Sequence, residues 1–380
     1  MRKPSGLFLG PLIADHFVSR TPRNHSRANH DLETQIWGTI TPDPTIKAEF
    51  TKIQAASFIA FDDRFYDIIG PNPMIEKLFT LPQAMHEAAN YLPKQNKVFV
   101  SACNETYDYL IDLCTEPPTI KQFTADPPLE SVNGGILVGN QLLVGTDGFR
   151  NSSPPGIYTL DPDTLKSGVL LNNYRGLRFN TIDDLTVDHF GNIWFVDAPF
   201  AWFAEGLKPG LHKVFDNAPT LPSAIYVYNI TSGTIVCVDQ SIVWPNGIAF
   251  SPDGKTLFVS DTPFNLQTEF RGVFAFDVTY PYTLSNKRMV YLPDTNIVDG
   301  LKVSEEGNLF GAAGSTIDVF TPQGELLGKI SAGGEEKNLY NLVFLPNGEI
   351  ILSGMMGIWR VKITQQGLIN YGQGAVPAEK

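Results

Sequence analysis

Residues 183–197 read DDLTVDHFGNIWFVD: two acids open an apolar strand, a turn closes on Gly191, and a second apolar strand follows. Two short apolar runs joined by a glycine-bearing turn make a β-hairpin. The same plan returns as NGIAFSPDGKTLFVSD from Asn246 and DGLKVSEEGNLFGAA from Asp299. In each, an acid or amide opens the strand and a glycine follows eight residues later, at Gly191, Gly254 and Gly307. YNLVFLPNGEIILSG from Tyr340 keeps that spacing with Gly348, while EAANYLPKQNKVFVS from Glu87 and NGGILVGNQLLVGTD near residue 134 are looser copies. Several copies are followed by a further strand pair, as in GIYTLDPDTLKSG, AIYVYNITSGTIV and GVFAFDV.

Six copies, roughly 42 to 63 residues apart, are too regular for a sandwich. Four short strands repeated six times predict an all-β fold, a six-bladed β-propeller with four-stranded antiparallel blades. Neighbouring blades bury faces that one blade could not bury alone. Residues 50–370 are read as a single propeller domain, with FTKIQAASFIAFD (50–62) supplying the strand that completes the last blade. Residues 70–86 and 105–116 are read as short helices or insertions. Residues 1–49, polar and proline-containing, form an N-terminal extension that wraps the outside or is partly disordered.

The composition narrows the function. At 380 residues and 43% hydrophobic content the chain has ample material for a core. A net charge of −12 without a Lys/Arg cluster argues against nucleic acid, whose phosphates it would repel. No run approaches the ~18 apolar residues of a membrane span, so a soluble chain is expected. Three cysteines, Cys103, Cys114 and Cys237, make no disulfide framework and favour a reducing, cytoplasmic setting. The short apolar run in MRKPSGLFLGPLIADHF and the N-x-S/T triplets at Asn24, Asn104, Asn151 and Asn229 leave secretion open.

In a propeller the first strand of every blade lines the central channel, so residues in one repeat position converge on the axis. That position holds Glu87, Asp183, Asn246, Asp299 and Tyr340. Four of them carry the oxygen donors suited to a hard divalent cation, and the absence of sulfur there disfavours a structural zinc site. A single acid or amide at a strand start serves local backbone as readily as a ligand. Three carboxylates on one axis are different: like charges at ~4 Å repel by about 4 kcal/mol at an effective dielectric of 20, and a cation relieves that.

The words WPNGIAFSPDGKTLFVSDT, VDGLKVSEEGNLF, NNYRGLRFNTIDDLTVD, MHEAANYLPKQNKVFV and FDDRFYDIIGPNP resemble the senescence marker protein/gluconolactonase (regucalcin-like) family of calcium-dependent propeller lactonases, with a likeness to fungal lactonohydrolases of the D-pantoyl-lactone type. The resemblance implies metal ligands at Glu87, Asn246 and Asp299, and a fourth channel position, an Asn in the family, at Asp183. It implies one divalent ion, Ca²⁺ foremost, with Mg²⁺, Mn²⁺ or Zn²⁺ as substitutes. A lactonase reaction follows, with Asp299 the family-based general base. Asp183, where the chain departs from the family, makes a three-carboxylate site with Glu87 and Asp299 that either holds the cation more tightly or keeps one proton, in which case Asp183 serves as acid or base. Asp184 matches the family and is expected to point away from the axis.

Other candidates are weighed beside ordinary structural roles. Arg178 is set to hold a substrate carboxylate or carbonyl, or to form a surface salt bridge; Asn180 touches substrate or stabilises a turn. His86 is a candidate to touch substrate, although beside Glu87 in a strand it should face away from the ligand side. Tyr340 lines the pocket or plugs the axis, and Trp244 walls the pocket or packs between blades. Asp197 and Asp261 end second strands as turn acids. No G-x-S-x-G elbow supports serine catalysis. The expected partner is a small-molecule lactone, handled by a monomer or dimer. Alternatives are a non-hydrolytic cyclase or isomerase on the same scaffold, kept open by Asp183, and a non-catalytic binding propeller.

Overall fold

Why each repeat turns where it does is visible at residues 188–192. Buried Asp188 accepts hydrogen bonds from the backbone N–H of Phe190 and Asn192 (both 2.9 Å), from Asn192 Nδ2 (2.8 Å) and from Trp194 Nε1 (2.9 Å). Gly191, Gly254 and Gly307 take the left-handed conformation that closes their turns, with φ of 82°, 68° and 91°. The predicted hairpin glycines are therefore turn residues in fact.

The computed structural model describes residues 13–14, 56–82, 85–103, 105–149, 153–203, 220–263, 271–294, 297–333 and 338–367. They form six antiparallel blades of four strands each. Blade one is Asn90–Leu92, Lys97–Val100, Asp108–Asp112 and Thr119–Phe123. Blade two is Val132–Val138, Gln141–Thr146, Gly156–Leu160 and Ser167–Leu171. Blade three is Ile182–Val187, Asn192–Asp197, Ala224–Asn229 and Thr234–Asp239. Blade four is Pro245–Phe250, Thr256–Asp261, Gly272–Thr279 and Thr283–Tyr291. Blade five is Leu301–Val303, Leu309–Ala313, Thr316–Phe320 and Leu326–Ser331. Blade six is Leu339–Phe344, Glu349–Gly354, Gly357–Lys362 and the N-terminal strand Met74–Thr80. The first strands touch in sequence around the ring, one to two through six and back to one. Apolar residues fill the clefts between blades, as where Trp194 of blade three meets Phe250 of blade four edge to face, ring centres 5.5 Å apart.

Three expectations are corrected. The strand that completes the last blade is Met74–Thr80, paired antiparallel with Gly357–Lys362, and not a segment of 50–62. Phe58–Ala60 instead adds a fifth strand to the outer edge of blade five, opposite Gly328–Ile330. Packing explains the swap: Phe58 and Ala60 are buried with Ile317 and Ile330, and Phe65 lies where a Cβ on Gly328 would stand, 2.4 Å from its ring. Met74–Thr80 is mostly exposed and carries Glu76 and Lys77, as suits an outer edge. The segments 70–86 and 105–116 hold no helix among the described residues; they contribute Met74–Thr80 and Asp108–Asp112. A helix does form at Arg64–Ile69, burying Phe65, Ile68 and Ile69 on one face. Of the N-terminal extension, Ile13–Ala14 pairs in parallel with Phe58–Ile59; the rest of 1–49 lies outside the described residues.

Ring closure has an electrostatic clasp. Arg360 in blade six donates from Nε to Glu76 of the closing strand (2.6 Å) and from both terminal nitrogens to Glu116 of blade one (3.0 Å each). Both partners are well exposed, so the clasp is worth less than a fully buried one. Arg360→Ala is expected to lower stability in urea by about 1–2 kcal/mol, with Arg360→Lys restoring only part because it lacks the bidentate fork.

Candidate active site at the channel mouth

The acids of the opening motif owe their placement to a bulge. Register shifts by one residue between Ile182 and Leu185, and the corresponding shifts occur at Pro245/Ile248, Val132/Gly135 and Leu339/Asn341. A bulge lets consecutive side chains escape the strict alternation of a strand. Asp183 and Asp184 can therefore both serve the channel, which a regular strand would forbid.

The glycines beside the channel residues allow blades to approach. A Cβ on Gly134 would fall 2.1 Å from the Asp183 carbonyl oxygen, and one on Gly247 would fall 2.4 Å from that of Asp299. The N-G and D-G pairs in these motifs are thus close-contact sites between first strands.

Glu87, Asp183, Asn246 and Asp299 are all buried, at 3–7% exposure. Burial, then the charges of Asp299 and Asp183, push the Glu87 carboxyl well above the usual carboxylate range; a hydrogen bond from Asn341 Nδ2 (3.1 Å to Oε2) opposes the rise. Asp183 is raised well above its ordinary value by burial, then by Asp299, Asp147 and Asp184, against a hydrogen bond from Asn133. Asn133 Nδ2 also donates to Asp147 Oδ1 and Ser131 Oγ to Asp147 Oδ2, each at 3.1 Å, and burial pushes Asp147 up to about 6. Asn246 turns its amide nitrogen to Thr262 Oγ1 at 3.5 Å.

This is an oxygen-rich cup of excess negative charge, the donor chemistry of a hard divalent cation. Its carboxylates act on one another through space; among the described residues no three of His, Cys, Asp and Glu stand close enough to form a finished cage. By donor type and charge the set fits a cation.

The remaining candidates divide. Tyr340 is buried at the bulge position of blade six, its hydroxyl held high by burial and then by Asp299. Arg178 lies on a two-residue strand beside blade three, within the field of Asp197. Asn180 acts in the turn: its N–H donates to Asp197 Oδ1 (2.7 Å), and its Nδ2 to Asp197 Oδ2 (3.2 Å) and the Leu221 carbonyl (3.0 Å). His86 is buried with Nδ1 at 2.8 Å from the Gly354 carbonyl oxygen, turned toward blade six. Trp244 packs on Phe200, ring centres 5.5 Å apart. Asp197 and Asp261 cap backbone N–H groups of residues 180, 181 and 244, as turn acids should.

Asp184 departs from expectation. It accepts an ion pair from Lys302 Nζ at 3.2 Å, and Lys302 belongs to blade five, so the pair skips blade four and crosses the channel. Asn133, Asp147 and Asn341 were missed as site residues. Asn133 had a signal, since it opens NGGILV as Asn246 opens NGIAF. Asn341 had none, because its inward turn depends on the bulge.

The sequence profile described as "SMP-30/Gluconolactonase/LRE-like region" matches residues 128–348, more than half of the chain. A lactonohydrolase of Aspergillus oryzae, oryL, is 33% identical over 326 residues, covering 79% of this chain and 72% of its own. A gluconolactonase of Zymomonas mobilis is 29% identical over 234 residues, 59% of this chain and 62% of its own. Among solved structures, a gluconolactonase of Xanthomonas campestris superposes with a TM-score of 0.68 at 23% identity, over 80% of this chain and 93% of its own, a likeness of fold. With the repeat, the six blades and the channel residues in place, the chain belongs to the SMP-30/gluconolactonase/LRE-like family.

Proposed function

We propose that the protein is a metal-dependent hydrolase that opens a small lactone at this channel mouth. The observation that supports the reading is that buried Glu87, Asp183 and Asp299, from three blades, act on one another, with Asn246 buried at the matching repeat position of a fourth. The names of the relatives, lactonohydrolase and gluconolactonase, supply the reaction class. Glu87, Asn246, Asp299 and Asp183 would hold the ion, Ca²⁺ first by donor type. When bound, it supplies polarisation of the ring carbonyl and stabilisation of the developing oxyanion.

The chain's own groups do the rest. Asp299 accepts a proton from the attacking water as its oxygen bonds to the carbonyl carbon. The ring C–O bond breaks, and the departing oxygen takes that proton to become the hydroxyl of the product hydroxy acid. Arg178 and Tyr340 orient the lactone, while His86, Asn180 and Trp244 support the walls around it. Asp183 adds a third carboxylate where the family pattern has an amide, so it shares the cluster's protons rather than titrating alone.

That extra carboxylate also favours the second reading, a cyclase or isomerase using Asp183 as acid or base. Asp183→Asn decides between them. As a lactonase the variant is expected to keep hydrolysis within about tenfold. The experiment is proton release from a panel of aldonolactones, pantoyl lactone and aromatic lactones. Turnover absent from every member while calcium still binds would overturn hydrolysis in favour of the second reading.

A further inference from the structure

The proposed reaction uses Asp183 but not its neighbour. Asp184 is 1% exposed; its Oδ1 accepts the Leu185 N–H at 2.9 Å and its Oδ2 accepts Lys302 Nζ at 3.2 Å. Lys302 follows Asp299 along the inner edge of blade five, and blade four stands between it and Asp184 in the ring. The ion pair is therefore a chord across the channel. Space for it exists because residue 134 is glycine: a Cβ there would lie 2.9 Å from Asp184 Oδ1. In blade six, the blade opposite, Asn341 holds the equivalent bulge position, lies against Gly300 and reaches Glu87. Asp184, tied to Lys302, thus adjoins Asp183 in the chain and acts on Glu87, while Asn341 bonds Glu87 directly.

We propose that Lys302 is the resident counter-charge of the channel: it holds Asp184 beside the acidic set and limits how strongly that set attracts a divalent cation. The inference rests on the reading that the set binds such a cation. Asp184 acts on Glu87 through space, so whatever neutralises Asp184 is felt by that carboxylate. A lysine side chain buried for most of its length places one positive charge there without a ligand's lone pair. Replacing it with a neutral side chain leaves Asp184 as one more uncompensated carboxylate beside the acidic set.

The test is calorimetric titration of chelator-stripped protein with calcium chloride, beside melting curves with and without the ion. Lys302→Met is expected to bind calcium on the order of tenfold more tightly, from loss of one nearby positive charge. Its metal-free melting temperature should fall while calcium restores it. Lys302→Arg should keep wild-type affinity, Asp184→Asn should bind more weakly, and the pair Asp184→Asn/Lys302→Met should return near wild type. A purely structural role predicts the opposite sign for Lys302→Met, weaker binding. Unchanged or weaker binding by Lys302→Met, or equal binding by Asp184→Asn should the methionine variant fail to fold, would overturn the proposal. Failure of the underlying cation reading is seen separately, as absence of calcium heat in the wild-type chain.

Discussion

Asp299→Asn is expected to cut lactone hydrolysis by about a thousandfold and to abolish calcium-induced thermal stabilisation. Asp299 is buried at the start of blade five and faces both Glu87 and Asp183, so it belongs to the ion's donor set and to the proton path together. Losing one carboxylate weakens the attraction for the cation and removes the base that receives the water's proton. The amide keeps the shape, so folding should survive; relieved repulsion should even raise the metal-free melting temperature slightly. The matched control is Asp253→Asn, an exposed turn acid bonded to Ser251, which should leave hydrolysis and calcium response unchanged. A variant at Asp299 that hydrolyses at wild-type rate would remove the residue from the mechanism.

Stability of the metal-free protein should fall as pH rises from 5 to 8, and calcium should cancel the channel's share of the fall. Burial and mutual repulsion hold Glu87 and Asp183 above the ordinary carboxylate value, and burial lifts Asp147 from 3.8 to about 6. The folded chain then binds protons that the unfolded chain has already released, so stability drops with rising pH. The contribution is whole below the unfolded carboxylate value and is lost as pH passes the raised folded values. For Asp147 alone that amounts to roughly 3 kcal/mol across its window. Carboxylates held low, such as Asp62 at about 2 beside Arg64, lose their stabilisation only in stronger acid, while Asp108 and Asp197, each pushed by burial up to about 8, add to the fall from outside the channel. Calcium at about a hundred times its Kd adds roughly 2.7 kcal/mol. Its melting-temperature gain should be larger at pH 8 than at pH 5, where protons compete for the same oxygens. Melting curves of chelated and calcium-loaded protein at the two pH values check this; a flat or rising metal-free profile contradicts it.

The propeller was legible because one blade writes itself six times. Apolar strand, glycine turn and apolar strand are local features, and their spacing survives in a single sequence. Three of the four expected donors were legible as openers of the strongest copies, Asp183, Asn246 and Asp299; Glu87 came from a looser one. What stayed hidden depends on contacts far apart in the chain. Met74–Thr80 closes blade six across nearly the whole domain, and nothing within the heptapeptide announces its partner at Gly357–Lys362. Phe58–Ala60 looked like a closing strand because it is apolar, yet a closing edge favours the charged, exposed Met74–Thr80. Asp184 read as scaffold because strict strand alternation sends neighbours to opposite faces; the bulge between Ile182 and Leu185 breaks that rule. Its pairing with Lys302 joins two residues that stand in separate repeats and separate blades.

Lactone opening that depends on a cation held by the channel carboxylates can be read in a single assay, proton release from one lactone substrate. The enzyme is stripped with chelator and then titrated with calcium chloride. Activity is expected to disappear on stripping and to return in full at one ion per chain, with Asp299→Asn unresponsive. Hydrolysis that continues at the same rate in excess chelator would contradict it.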